Sequence, residues 1–365
     1  MRILHIANHA EKNGNGIVNV MVDLACLQSM SGHDVAVATS GGSFEALLSQ
    51  HGAHHYSLLQ TTQAWRMPAM LWDFHKIVAE FAPDVVHAHM VTGAVLAKVN
   101  RFISSYALVT TIHNEFQKSS DLMRAGDCVV SVSDAVAASM TKRGVPKERM
   151  HVVRNGVVGA PRLSANRQTP DAQVHRPSVV TVSGMYERKG MHDLVRAFAE
   201  ISPRAPEAHL YLVGDGPDRA DLEMLSHTLG ISDKTHFTGY VADPRSYLQQ
   251  ADVFVLPSHS ESGPLALMEA REAGCAIVAT MVGGIPETLD HGAAGIMVPP
   301  SDPPSLAKAI LALLIDEQAR EMWKGRAQSN LQSIAASRVH EEYLQIYSTA
   351  LSRRGVAVNM HKTVS

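Results

Sequence analysis

Glu261 and Glu269 stand eight positions apart in the segment ESGPLALME, at the start and within the first turns of a helix expected after the apolar run Val253 to Leu256. An ionised carboxylate so placed can accept hydrogen bonds from vicinal hydroxyls, and charge-assisted bonds of this kind are worth roughly 1.5–3 kcal/mol each. Upstream, the turn SGMYERKG sets Arg188 and Lys189 ahead of a helix expected from about His192, where positive charge can steady a phosphate without a metal. Near the amino terminus, Asn13-Gly14-Asn15-Gly16 allows backbone N–H groups to approach an anion closely, because glycine has no Cβ. His113 closes the run Leu108 to Ile112 and can supply a hydrogen bond at the carboxyl end of a strand. Each group also has a plainer reading: glutamates favoured by a helix dipole, a solvated basic turn, a structural histidine. His87 and His89, at i and i+2 on one strand face, could begin a metal site. No third ligand has local spacing, and 20 histidines make such pairs easy by chance, so packing or cleft lining is the expectation and no metal is assigned.

These residues need a frame, and the chain reads as βαβ alternation. In the first half the expected strands are Ile3 to Ala7, Asp34 to Thr39, Val85 to Ala88, Leu108 to Ile112, Cys128 to Val132 and His151 to Arg154. Between the first two, Ile17, Val20, Met21 and Leu24 keep helical spacing until Gly32 stops the helix. A stretch from Asn155 to about Pro177 has turn formers and little periodicity and reads as a linker. Alternation then restarts, with strands at Val179 to Val182, His209 to Val213, Thr235 to Gly239, Val253 to Leu256, Ala276 to Ala279 and Ile296 to Val298. Long helical segments run from Ser305 to about Ser352, followed by a hydrophilic tail. The expected division is residues 1–160, a linker at 161–176, a second domain at 177–340, and a closing helix and tail at 341–365, with the last helix free to cross back. Continuous Val/Ile runs predict buried parallel sheets, and ligands of such sheets bind at the carboxyl ends of the strands.

Bulk properties narrow the class. A chain of 365 residues fits two domains. Its 45% hydrophobic and 18% charged content is that of a globular protein. A net charge of −3 without a basic run disfavours a nucleic-acid partner. Three scattered cysteines, Cys26, Cys128 and Cys275, form neither a disulfide framework nor a zinc knuckle. The start MRILHIANHA lacks a signal-peptide pattern and no apolar stretch spans a bilayer, so a cytoplasmic location is expected, with peripheral contact at the inner membrane face left open. Trp65, Met67, Met70, Leu71 and Trp72 could serve such contact, but their helical spacing predicts core packing instead.

The ordered set of motifs supplies the rest. ADVFVLPS, ESGPLALME, GGIPETLDHG, VPPSDP, LVGDGP and HFTGYV in the second half, with GHDVAVAT, DVVHAH, TIHNE, SVSDAV and VVRNGV in the first, resemble the retaining enzymes of glycosyltransferase family 4 over nearly the whole chain. The resemblance implies a GT-B fold, two doubly wound Rossmann-like domains facing across a cleft, whose closure would bring Gly16 and His113 towards Lys189 and Glu261. It implies transfer of a hexose-type sugar, with a UDP-sugar as the expected donor, to an acceptor in glycan, glycolipid or glycoside synthesis. The anomeric configuration would be retained and neither metal nor other cofactor required. It assigns Glu269 to the ribose hydroxyls and Glu261, His113 and Lys189 to the reaction centre. Gly16 and Lys189 fall to the phosphates, Gly239, Tyr240 and Val241 to the base, and Ser262, Gly263, Pro264 and Leu265 to the donor-sugar loop. Arg188 is not part of the family pattern and is the candidate to compensate at the phosphates for the Arg absent at Gly184. The acceptor is unidentified, and the loop from His113-Asn114-Glu115 to Gly126 is its candidate rim.

Three positions depart from the family pattern. Gly184 stands where an Arg is usual, Gly263-Pro264 replaces Phe-Gly, and Val158 replaces an Asp. Two other readings of the pocket stay open: a nucleotide-sugar epimerase or hydrolase on the same fold, and an idle sugar-binding protein. A nicotinamide-dinucleotide fold is disfavoured, since Asn19 occupies the third glycine position and Thr39 ends the second strand without an acid.

Overall fold

The computed structural model describes residues 1–61, 63–116, 118–164 and 172–355. Parts of the expected linker and tail lie outside the described residues. The chain divides into two compact units. One comprises residues 1–155, 159–165 and 336–365, and the other 156–158 and 166–335.

The first unit is built on a seven-stranded sheet. Its strands are β1 (Arg2–Ile6), β2 (Asp34–Thr39), β3 (His54–Ser57), β4 (Val85–Ala88), β5 (Ala107–Ile112), β6 (Cys128–Ser131) and β7 (Met150–Val152). They run in the order β3-β2-β1-β4-β5-β6-β7, and every pairing is parallel. The second unit carries β8 (Ser178–Val182), β9 (His209–Val213), β10 (Thr235–Gly239), β11 (Val253–Leu256), β12 (Ala276–Thr280) and β13 (Ile296–Val298). Their order is β10-β9-β8-β11-β12-β13, again wholly parallel. Each sheet is doubly wound, and its order reverses between β1 and β4 in one unit and between β8 and β11 in the other. Those reversals open the crevices in which ligands of such sheets bind. Central strands are fully buried, as Val85 to Ala88 and Val253 to Leu256 show, because helices cover both faces.

Most strands fall where the sequence predicts them, and the exceptions have physical reasons. β3 is missed because HHYS is a half-exposed edge strand without an apolar run. The closing helical stretch is four pieces: helices Pro303–Ile315 and Glu317–Ala327, a 3-10 turn Leu331–Ile334, and helix Ala336–Arg353. Asp302 and Asp316 cap the first two through their side chains, accepting from Ser305 N and Ala319 N, and so divide the run. The expected linker includes a short helix, Pro161–Ser164, whose Arg162 Nε donates to the buried Asp23 carboxylate at 2.8 Å. Of the five residues expected to pack along helix Met67–Phe81, Met70 is buried and Met67 and Leu71 pack on the core, but Trp65 and Trp72 are 75% and 64% exposed. Trp65 lies in the 3-10 turn Ala64–Arg66 ahead of that helix, and Trp72 points off its buried face. All three cysteines are buried and free.

Asp252 ties the second sheet together at its amino-terminal edge. The buried carboxylate accepts from Ser178 N at 2.9 Å, at the start of β8, and forms a two-pronged ion pair with Arg176. Desolvation pushes its pKa up, but the Arg176 and Ser178 bonds outweigh it and hold the group below the ordinary carboxylate value. A depressed folded pKa contributes stability above the unfolded value, about 3.9, which is lost as pH falls through the folded one. Asp252→Asn is therefore expected to cost about 2 kcal/mol near neutral pH. In urea titrations followed by circular dichroism the gap from wild type should narrow below about pH 4.

Candidate active site

The loop joining β11 to helix Leu265–Glu272 carries Ser258 to Pro264. Pro264 caps that helix in an extended conformation, so Glu261 lies in the loop and not at the helix start as expected. Glu269 sits in the body of the helix, whose first turn holds no acidic residue, and this removes the dipole as an explanation for either glutamate. Both are only 8% exposed.

Glu261 is gripped from several strand ends. Lys189 Nζ, in the 3-10 turn Glu187–Lys189 after β8, donates to Glu261 Oε1 at 2.5 Å, and Ser258 Oγ donates to the same oxygen at 2.9 Å. Among the described residues Oε2 takes no hydrogen bond. From the loop after β12, Gly284 N donates to the Glu261 carbonyl at 3.3 Å. Gly283 packs so tightly that a Cβ there would lie 1.6 Å from the Glu261 carbonyl oxygen, and its φ is +52°. The β8 turn is fastened in the same way. His259 N donates to Arg188 O at 2.8 Å, the His259 ring meets Asp193 at 2.6 Å, and a Cβ on Gly190 would lie 2.0 Å from Pro257 O. Only glycine allows these close approaches.

Other expected site residues of the second unit cluster on the same edge. Among the described residues the buried Ser262 Oγ has no hydrogen-bond partner, whereas buried polar atoms are as a rule paired. Arg188 is exposed on its turn. Gly239 ends β10 with φ +73°, Tyr240 is largely exposed, and Val241 packs on the core. At Gly184 a Cβ would meet the Tyr186 ring at 2.6 Å, so the aromatic ring stands where a larger residue's side chain would leave the backbone. Sequence reasoning missed Arg271. This fully buried guanidinium donates to the carbonyls of Thr288 (2.5 Å), Ala327 (3.0 Å) and Ser329 (2.6 Å), and it pairs with Asp290 at 3.0 Å. It anchors the helix that bears Glu269.

In the first unit, Gly16 opens helix Gly16–Met30, capped by Asn15, whose side chain accepts from Ile17 N at 3.0 Å. His113 follows β5, and its Nε2 lies 3.2 Å from His89 Nδ1. Burial draws the His113 pKa down to about 3, which keeps the ring neutral. His5, absent from the sequence-level candidates, joins His87 and His89 in a buried cluster whose ligand atoms lie within 4.8 Å of one another. Each ring of the three already has protein partners on both nitrogens: Gln28 and His89 for His5, Tyr347 and Thr111 for His87, His5 and His113 for His89. A paired hydrogen-bond network accounts for the cluster without an ion. The expected acceptor rim after His113 is partly a 3-10 segment, Lys118–Ala125. The Lys118 side chain lies outside the described residues.

Comparison with known proteins assigns these two parallel, doubly wound units to the GT-B glycosyltransferases. Residues 14–158 match the model described as Glycosyltransferase Family 4, and residues 164–330 match that described as Glycosyl transferases group 1. The chain belongs to this glycosyltransferase family. It is 29% identical over 227 residues to the lipopolysaccharide core biosynthesis glycosyltransferase LpsE of Rhizobium meliloti, a match spanning 62% of this chain and 65% of LpsE. It is 25% identical over 369 residues to the N-acetyl-alpha-D-glucosaminyl L-malate synthase of Bacillus anthracis, spanning 93% and 94% of the two chains. Among solved structures, Anabaena HepE in complex with UDP-glucose superimposes with a TM-score of 0.81 at 20% identity, over 96% of this chain and 100% of that one. No helix among the described residues is long and apolar enough to cross a membrane.

The ion pair yields a direct test. Lys189→Met leaves a buried carboxylate with a hydroxyl as its remaining side-chain partner, and should destabilise the protein by about 3 kcal/mol. Arg188→Ala, on an exposed side chain, should cost under about 1 kcal/mol. Urea midpoints compare them; equal, small shifts would show that the Lys189–Glu261 pair is not formed.

Proposed function

We propose that the protein transfers a hexose-type sugar from a UDP-sugar to a hydroxyl of a glycan acceptor, with retention of the anomeric configuration and without a metal ion. The observation that carries this reading is the pairing of the part-buried Lys189 with the buried Glu261 at the sheet reversal, with Glu269 on the adjoining helix. In this reading Glu269 accepts from the ribose hydroxyls, where a charge-assisted bond gains strength from burial. Lys189 and Arg188 neutralise the charge that develops on the departing diphosphate, the task a metal would otherwise perform. Glu261, with one oxygen held by Lys189 and Ser258, offers the other to the donor sugar. Ser262 and the amides of Gly263 and Leu265 line the same loop, with Pro264 fixing its shape and withholding a donor. Gly239, Tyr240 and Val241 frame the base. Gly16 and His113 keep the donor contacts that the family resemblance implies.

Support for the donor comes from HepE, solved with UDP-glucose, and support for a glycan acceptor from LpsE, named for lipopolysaccharide core biosynthesis. The malate synthase, matched over nearly its full length, marks a small-molecule acceptor as the second reading.

Steady-state kinetics on UDP-hexoses separate the two glutamates. Glu269→Ala should raise the donor KM by about 10- to 100-fold, the worth of a charge-assisted bond, with a smaller effect on kcat. Glu261→Ala should instead lower kcat by about 100-fold. Proton NMR of the product should show the donor's anomeric configuration. A product formed without any acceptor would replace transfer by the epimerase or hydrolase reading, and wild-type kinetics in both variants would remove the two glutamates from the site.

A further inference from the structure

Around Gln28 the first unit holds a closed hydrogen-bond network in which every ring nitrogen but one is paired. On one side, Gln28 Oε1 lies 2.8 Å from His5 Nε2, His5 Nδ1 lies 3.0 Å from His89 Nε2, and His89 Nδ1 lies 3.2 Å from His113 Nε2. On the other, Gln28 Nε2 donates to Tyr347 Oη at 3.1 Å, Tyr347 Oη lies 2.7 Å from His87 Nδ1, and His87 Nε2 lies 2.7 Å from Thr111 Oγ1. Thr111 Oγ1 ends the arm 2.9 Å from Tyr343 Oη. Among the described residues, His113 Nδ1 is the one ring nitrogen of this network without a hydrogen-bond partner.

We propose that Gln28 is a positioning residue whose amide fixes the ring tautomers of all four histidines, so that His113 is protonated on Nε2 and presents Nδ1 as an acceptor for a sugar hydroxyl. The sugar-contacting role of His113 is the part that rests on the proposed function. The tautomer assignment follows from donor and acceptor chemistry. A neutral imidazole has one N–H and one bare nitrogen, and the partner of one nitrogen dictates the state of the other. The amide oxygen can only accept, so His5 carries its proton on Nε2 and offers a bare Nδ1. That makes His89 an Nε2–H donor with a bare Nδ1, which in turn requires Nε2–H on His113. Along the second arm the amide nitrogen donates to the Tyr347 oxygen, leaving the phenol proton for His87 Nδ1. His87 is then also protonated on Nε2 and donates to Thr111.

The chain can transmit one polarity only while every ring is neutral. Burial lowers the His5 pKa to about 4 and that of His113 to about 3, and holds His87 and His89 well below the ordinary value. Tyr343 and Tyr347 belong to helix Ala336–Arg353, so the carboxyl-terminal segment closes the network on strands more than 230 residues earlier in the chain.

Long-range proton–nitrogen NMR on histidine-labelled full-length protein reads each ring directly and needs no turnover. The expected result is Nε2–H on His5, His87, His89 and His113. In Gln28→Glu, read at a pH where the new carboxyl is ionised and the rings stay neutral, that group can only accept. Tyr347 must then give its proton to Glu, and His87 must switch to Nδ1–H while His5, His89 and His113 keep their state. In Gln28→Leu the polarity is unset, mixed tautomers should appear at His113, and kcat should fall several-fold while the donor KM stays near wild type. An Nδ1–H tautomer at His113 in the wild type would overturn the proposal, as would stoichiometric zinc in the purified protein, because a metal on His5, His87 and His89 would take their ring bonds. If the tautomers are as expected and only the kinetic effect is missing, the network stands and the sugar contact of His113 fails.

Discussion

A carboxylate sunk among loops at the edge of a parallel sheet is tolerated only if a cation and hydrogen-bond donors surround it, and Glu261 is such a group. Its environment explains the placing of several neighbours. Lys189 must reach it from the β8 turn, so that turn is locked to the β11 loop by the His259–Arg188 backbone bond and by the close approach of Gly190 to Pro257. The loop after β12 must close over its main chain, so Gly283 takes a left-handed conformation that a side chain would block. Ser258, which donates to the carboxylate, is itself held through its carbonyl by Thr280 Oγ1 at 2.5 Å. The loops that follow β8 and β11 thus meet at Glu261 Oε1, the loop after β12 closes on the carbonyl oxygen of the same residue, and helix Leu265–Glu272 follows after Ser262-Gly263-Pro264, carrying Glu269.

The first unit meets the same constraint in the opposite way. Its crevice strands carry His5, His87 and Thr111 inward, where charge would be costly, and each is paired with a neutral partner. His5 and His87 face each other directly in the β1–β4 register. Two tyrosines from helix Ala336–Arg353 complete the pairing, which gives that helix a polar reason to pack on the first sheet besides the apolar contacts of Val339, Ile346 and Ala350. A charge pair organises one sheet reversal, and a tautomer network organises the other.

Much of this was legible in the sequence because parallel strands advertise themselves. Val253 to Leu256 is a short apolar run of the kind a doubly covered sheet uses, Val85 to Ala88 is another but for His87, and ESGPLALME follows the first. The edge strand His54–Ser57 had no such mark. The loop position of Glu261 was misread as a helix start because the eight-residue spacing to Glu269 resembles helical spacing, whereas Ser262-Gly263-Pro264 delays the helix to Leu265. The glycine clamp at Gly283, the buried Arg271 and the histidine network depend on contacts between distant segments. Gln28 and Tyr347 are 319 positions apart, and neither residue type announces the other. The exposed Trp65 and Trp72 show the converse, since apolar residues near or on a helix need not all face its core.

The measurement that bears most directly on a nucleotide-sugar site in the second unit is isothermal titration of the purified protein with UDP, GDP and ADP in the absence of divalent metal, repeated on Glu269→Ala. The account predicts saturable binding of UDP in preference to the other two, and loss of most of that affinity in the variant. Binding of none of the three, or UDP affinity unchanged by the substitution, would contradict it.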